Sequence, residues 1–184
     1  MPELEELNAW PTDFIISNGF APIIREPFIS AYRSRIINIH PAYLPGGRGI
    51  YPNFWCFLDG TPTGVTIHLI DAEIDTGDVI ARKKIEFDDL ATLGTSYGEL
   101  FKEAERLFME VWDDFVFGKV APQRQEDAEF GNRYHSRIDS EKLIDLLPAA
   151  WDTSITTVRN MGRQIRSSQA FWRDVGALIK ELKK

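Results

Sequence analysis

The sequence predicts an α/β protein, in which short apolar strands alternate with helical stretches and a long amphipathic helix follows the last strand. Three observations carry this reading. Runs of strand length occur at Phe14–Ser17, Ile36–His40, Gly64–Ile70 and Val79–Ile85, each bounded by turn residues. Helical stretches fall between them, near Glu26–Tyr32 and at Pro52–Leu58. Thr95–Gly118 then places Leu100, Ala104, Leu107, Phe108, Val111, Trp112 and Phe115 at helical spacing with charges between, which is a helix lying on a sheet.

Each element has its own justification. The acidic stretch Pro2–Trp10 has Leu4 and Leu7 on one side and reads as the end of a helix. Phe14–Ser17 lies between Pro11 and Gly19 and reads as a buried parallel strand. Ile36–His40 is ended by Pro41 and Pro45, which remove donors and fix φ. Gly46-Gly47-Arg48-Gly49 can take positive φ and bring backbone close to a ligand, and fits a plain flexible loop equally well. Phe54, Trp55 and Leu58 form an aromatic and aliphatic cluster that reads as core. Val65, Ile67 and Leu69 alternate with Thr66, His68 and Ile70, and the turn that follows holds Asp71, Glu73, Asp75 and Asp78. Gly118 stops the long helix. A connector with Pro122 and Gln125 leads to helical stretches at Ser140–Leu147, where Ser140 is a candidate cap, Trp151–Ile165 and Phe171–Leu182.

Composition bounds the function. A chain of 184 residues, 43% hydrophobic and 27% charged, fits one soluble domain able to bury a core. A net charge of −7 disfavours a nucleic-acid surface, which needs clustered cations. No apolar run reaches the roughly 18 residues of a membrane span, and the acidic start does not resemble a signal peptide. The single Cys56 allows no internal disulfide, so a cytoplasmic location is expected. No dinucleotide or phosphate-loop fingerprint is found.

The chemistry concentrates between Ile36 and Asp78. Asn38 and His40 are two residues apart in a strand and project from one face at its carboxyl end, where open α/β sheets place ligands. His68 ends the alternating run, and Asp75 follows in a turn closed by Gly77. Together they offer an amide donor, two imidazoles and a carboxylate able to hold and charge one of them. His40, His68 and Asp75 also suit zinc or iron by ligand type. That reading leaves Asn38 and the proline-rich turn unexplained.

Asn38-x-His40-Pro41-x-x-Leu44-Pro45, followed by Gly64-Val65-Thr66-x-His68 and Asp75-x-Gly77, resembles the folate-dependent formyltransferase family across roughly residues 10–118. This family includes glycinamide ribonucleotide transformylases, methionyl-tRNA formyltransferases and sugar-nucleotide N-formyltransferases. The resemblance implies the C-terminal part of a doubly wound, mostly parallel sheet, with a catalytic core at 1–118 and a connector and helical tail at 119–184. The family's N-terminal βαβαβ half is not found ahead of Phe14. The expected consequence is an open strand edge, explained by a fragment, a start codon placed too far downstream, or a shortened relative that covers the edge by pairing in a homodimer. That half supplies acceptor-binding loops in the family.

The resemblance also implies roles. N10-formyltetrahydrofolate would be the co-substrate in this one-carbon transfer, with no metal, and a small-molecule amine the acceptor. Asn38 and His40 would stabilise the formyl oxygen, while Asp75 favours a charged His40 and moves protons. Phe20, Ala21, Ile23 and Ile24, with His68, Ile70, Asp71 and Ile74, would line the folate pocket. His68 would orient Asp75 or a water, or simply satisfy a buried hydrogen bond. Arg48, Tyr51, Asn53 and His135 are the expected acceptor contacts, with a solvated Arg48 and a surface His135 as the bland alternatives. The stretch Arg48–Trp55 is most similar to the sugar-amine branch, which predicts an amino-sugar nucleotide acceptor. The purine intermediate, hydrolysis of the formyl folate, and a non-catalytic remnant are the alternatives.

Overall fold

The computed structural model describes residues 12–20, 22–125 and 133–167. The helices expected at Pro2–Trp10 and Phe171–Leu182, and Ala21, lie outside these residues.

The strands are β1 (Ile15–Asn18), β2 (Ile36–His40), β3 (Arg48–Gly49), β4 (Gly64–Leu69), β5 (Val79–Lys84) and β6 (Tyr134–His135). The helices are α1 (Phe28–Ala31), α2 (Pro52–Asp59), α3 (Leu93–Val116), α4 (Arg137–Ile144) and α5 (Ile155–Ser167), with a 3₁₀ turn at Ala150–Asp152. Four strands form a sheet in the order β1-β2-β4-β5, and β3 and β6 form a separate pair. The α/β class therefore holds. Among the described residues, however, only β1–β2 is a parallel pair within the larger sheet, since β2–β4 and β4–β5 are antiparallel. The β4–β5 turn is too short for the helical crossover a parallel pair needs.

Strand alternation divides the sheet into a structural and a chemical face. Ile37, Ile39, Val65, Ile67, Leu69 and Ile80 pack on Leu100, Ala104 and Leu107 of α3. Asn38, His40, Thr66 and His68 occupy the intervening positions. Leu100 and Ala104 are fully buried, so the long helix fixes the sheet's back while leaving its front for the site. Thr92 caps α3 through a reciprocal pair with Thr95, and Gly118, at φ 69°, follows its end.

The described helices after the connector join the same body. Leu143, Leu147, Ile155, Val158 and Ile165 share a core cluster with Phe54, Trp55, Phe57 and Leu58 of α2. The cap of α4 is Ser136, whose hydroxyl accepts from the Asp139 amide, and not the expected Ser140. Ser140 is instead buried and accepts from Trp55 Nε1 at 2.8 Å. A hydroxyl that pairs with an indole inside the core cannot also cap the helix start.

Candidate active site

Asn38 and His40 come from β2, and the antiparallel register sets His68 of β4 directly opposite Asn38. A register shift in the β4–β5 ladder falls between Ile67 and His68. Such a bulge re-aims the side chain beside it. His68 Nδ1 lies 2.8 Å from the Leu69 carbonyl and must donate to it, which leaves Nε2 to accept from Asn38 Nδ2 at 3.2 Å. Asn38 Nδ2 also donates to Asp75 Oδ1 at 3.3 Å. The amide thus faces its hydrogens to both partners, and its flipped form would set oxygen against carboxylate. His40 Nε2 donates to the Gly47 carbonyl at 3.0 Å and stands 3.9 Å from Asp75 Oδ2.

Asp75 is delivered by a strained turn. Its backbone is left-handed at φ 56°, a conformation L-residues hold only when neighbours impose it. Gly49 N–H donates to its Oδ2 at 2.8 Å, and Arg48 Nε donates to the Ile74 carbonyl at 2.8 Å. Those two residues form β3, which β6 holds from its other edge. Gly49 has φ 96°, and a Cβ there would stand 2.2 Å from the His135 carbonyl, so only glycine allows the pair to close. Thr66 steadies the loop after β2 by donating to the Ala42 carbonyl at 2.7 Å and accepting from the Leu44 amide at 3.1 Å.

Electrostatics set the charges of His68 and Asp75. Burial pushes His68 down to about 4 against the pull of Asp75, so it is neutral near pH 7. Burial raises the Asp75 carboxyl, but His40, His68, the Gly49 N–H and Arg48 together pull it below the ordinary carboxylate range. The cluster therefore presents an anionic carboxylate between a neutral acceptor and a donating imidazole.

These groups open into a cavity of about 410 Å³. Of the expected residues, Phe20, Ile23, Ile24, Asn38, His40, Tyr51, His68, Ile70, Asp71, Ile74 and Asp75 line it. Three expected acceptor contacts sit elsewhere. Asn53 is fully buried and donates to the Leu93 carbonyl and Ser96 Oγ, because α2 turns that face into the core. His135 is buried, stacked on Trp55 at 3.6 Å and bonded to Asp59 Oδ2 at 2.8 Å, because alternation in β6 turns it away from the cavity and leaves Tyr134 facing it. Arg48 is 7% exposed and braces the Asp75 turn. Tyr97, Phe101, Tyr134 and Arg137 line the cavity and were not anticipated. Tyr97 and Phe101 sit on the α3 face opposite its charged side, at i and i+4, the one signal that pointed to them.

Among the described residues no group of three or more His, Cys, Asp and Glu is arranged to hold a metal ion. No described helix is long and apolar enough to cross a membrane.

Residues 3–112 match the Formyl transferase family. The chain belongs to that family. Within this formyl transferase family, it is 34% identical over 146 residues to a methionyl-tRNA formyltransferase of Listeria monocytogenes serotype 4a (strain HCC23), covering 76% of this chain and 47% of the relative. The chain thus spans about half the length of the methionyl-tRNA formyltransferases it matches. It superposes with a TM-score of 0.79 and 37% identity on the formyltransferase PseJ from Anoxybacillus kamchatkensis, solved with UDP-4,6-dideoxy-4-formamido-L-AltNAc and tetrahydrofolate. That match covers 86% of this chain and 82% of PseJ. A phosphoribosylglycinamide formyltransferase from Streptococcus pneumoniae TIGR4 superposes with a TM-score of 0.57 and 32% identity, over 61% of this chain and 63% of its own.

Proposed function

We propose that the chain transfers a formyl group from N10-formyltetrahydrofolate to the amine of an amino-sugar nucleotide. The observation that carries this is the convergence of Asn38, His40 and Asp75 on one cavity. The cavity suits such a donor: Phe20, Ile23, Ile24, Ile70 and Ile74 offer apolar surface to a flat ring, and Asp71 offers a carboxylate to ring N–H groups. Bound there, the folate supplies an activated formyl carbon.

The chain's residues would do the rest. As the acceptor nitrogen bonds to the formyl carbon, charge grows on the formyl oxygen. His40 Nε2–H would leave the Gly47 carbonyl for that oxygen, and one Asn38 hydrogen would be shared with it. Asp75 would take the proton the amine loses and return it, directly or through water, to N10 as the carbon–N10 bond breaks. His68, neutral and fixed by Leu69, keeps the Asn38 amide turned the right way. Before and after that transfer the Asp75 carboxylate would stand 3.9 Å from His40 Nε2 and favour its hydrogen-bond donation.

Two observations favour the sugar-nucleotide acceptor. The superposition on PseJ reaches a TM-score of 0.79, against 0.57 for the phosphoribosylglycinamide formyltransferase from Streptococcus pneumoniae TIGR4. The identities, 37% to PseJ and 34% to the methionyl-tRNA formyltransferase, do not separate those two classes. The cavity rim adds Tyr51, Tyr97 and Tyr134 for a base or sugar. Arg137 is the sole Lys or Arg among the described lining residues, placed for a diphosphate. Burial and the neighbouring Tyr51 raise the Tyr97 hydroxyl, which keeps it a neutral donor.

The test is calorimetric titration of the chain with 5-formyltetrahydrofolate, followed by transfer assays with N10-formyltetrahydrofolate and a UDP-linked 4-amino sugar. Saturable folate binding, abolished in Ile23→Asp, and a formamide product detected by mass are expected. Folate binding with transfer only to phosphoribosylglycinamide would replace the acceptor assignment. Turnover of N10-formyltetrahydrofolate to tetrahydrofolate and formate without transfer to any amine would favour a hydrolase.

A further inference from the structure

The turn that carries Asp75 is gripped by a residue outside the family-like motifs. Gln125, in the connector after α3, directs Nε2 at the Asp75 carbonyl and at the Gly77 carbonyl, 2.9 Å from each. One amide group thus spends both hydrogens on the two carbonyls that flank the turn's tip. The connector is itself pinned: Val79 N donates to the Gln123 carbonyl at 2.7 Å, and Gln123 N donates back to Val79 at 2.8 Å. Gln125 therefore extends from a fixed point on the start of β5, not from a loose arm.

That grip acts on the reactive carboxylate. Asp75 sits at φ 56°, and with its carbonyl and the next but one both held, the left-handed conformation has little room to relax. This conformation sends the carboxylate to the Gly49 amide and to the neighbourhood of His40. Arg48 and Gly49 hold the turn from the opposite side, through the Ile74 carbonyl and Asp75 Oδ2.

We propose that Gln125 is a positioning residue for the Asp75 carboxylate, holding the turn through two backbone carbonyls. The catalytic part of this claim rests on the proposed formyl transfer. The geometric part does not.

The experiment uses the full chain, with Gln125→Met to keep the volume without donors and Gln125→Glu to keep the shape while replacing donors with acceptors. The Asp75 carboxyl is titrated by ¹³C NMR, and kcat and KM for the folate are measured beside it. In both variants the Asp75 midpoint is expected to rise by about half a pH unit or more, as the Gly49 amide and the imidazoles lose their grip. The kcat is expected to fall on the order of 10- to 100-fold, with KM for the folate changing less than about twofold. In an Asp75→Asn background, Gln125→Met should cause no further fall. An unchanged Asp75 midpoint, or an equal loss of kcat in the Asp75→Asn background, would overturn the assignment. Loss of the fold in both variants would make Gln125 a stability residue and overturn it equally. If the wild-type chain binds folate but transfers to no amine, the proposed function fails, and the NMR titration alone decides the role of Gln125.

Discussion

At the floor of the cavity, Asn38 is hydrogen-bonded to His68 and Asp75, His40 stands 3.9 Å from Asp75, and the side chains of His40, His68 and Asp75 are only 6%, 2% and 11% exposed. At its rim, Tyr134 is 48% exposed, and the Arg137 side chain is 52% exposed with Glu141 no nearer than 3.5 Å. Strands of the main sheet and one braced turn build the floor, whereas helix ends and a two-residue strand from distant parts of the chain build the rim. On the proposed function, chemistry that must place charge within a fraction of an ångström would fall to the buried floor, and recognition that must admit and release an acceptor to the exposed rim.

The comparison breaks first at Asp75. Asp75→Asn keeps the shape and the Asn38 contact but removes the charge and the proton acceptor, so kcat should fall about 10³-fold with folate affinity nearly unchanged. Steady-state kinetics beside calorimetry will read this, and equal losses in kcat and in folate binding would mean that the floor binds and does not catalyse.

A pH series tests the floor's neutral imidazole. His68 in the folded chain has its pKa at about 4, below its ordinary 6.5, so the unfolded state takes up the proton first as pH falls. This contribution to stability is complete above pH 6.5 and lost progressively down to about 4, roughly 3 kcal/mol in all. Asp75, also held low, adds a loss at still lower pH. Denaturant midpoints should fall through that window in wild type and flatten in His68→Gln.

Asn53 and Arg137 sharpen the contrast from the other direction. Asn53 has an acceptor-like place in the sequence but lies in the core, so Asn53→Ala should cost about 1–3 kcal/mol of stability by leaving buried groups unpaired. KM for the acceptor should stay unchanged. Arg137→Ala should do the reverse, raising acceptor KM about tenfold with the folding midpoint unmoved. A matching rise in Asn53→Ala would return that residue to the rim.

The legible part of the site was the part covalent geometry settles. Asn38 and His40 share a face because a strand repeats every two residues, and His68 ends an alternating run whose partners Val65, Ile67 and Leu69 point to α3. His135 shows the limit of the same rule. Its neighbour Tyr134 reaches the cavity, but the sequence does not reveal which face of a two-residue strand turns inward. Arg48 reads as an acceptor contact or a solvated cation in a glycine loop until the Ile74 carbonyl is found beside it.

By itself the sequence determined the α/β class, the strand that carries the amide and imidazole, the long covering helix, and the candidate reacting groups. These follow from local periodicity and from residue chemistry, which act over a few positions. Only the tertiary structure decided the antiparallel β2–β4 register that pairs Asn38 with His68, and the left-handed turn of Asp75. It also decided the bracing of that turn by Gly49 and Gln125, which lie 26 and 50 residues away in sequence. Such contacts depend on where distant segments meet once the core has closed, and local pattern does not encode that meeting.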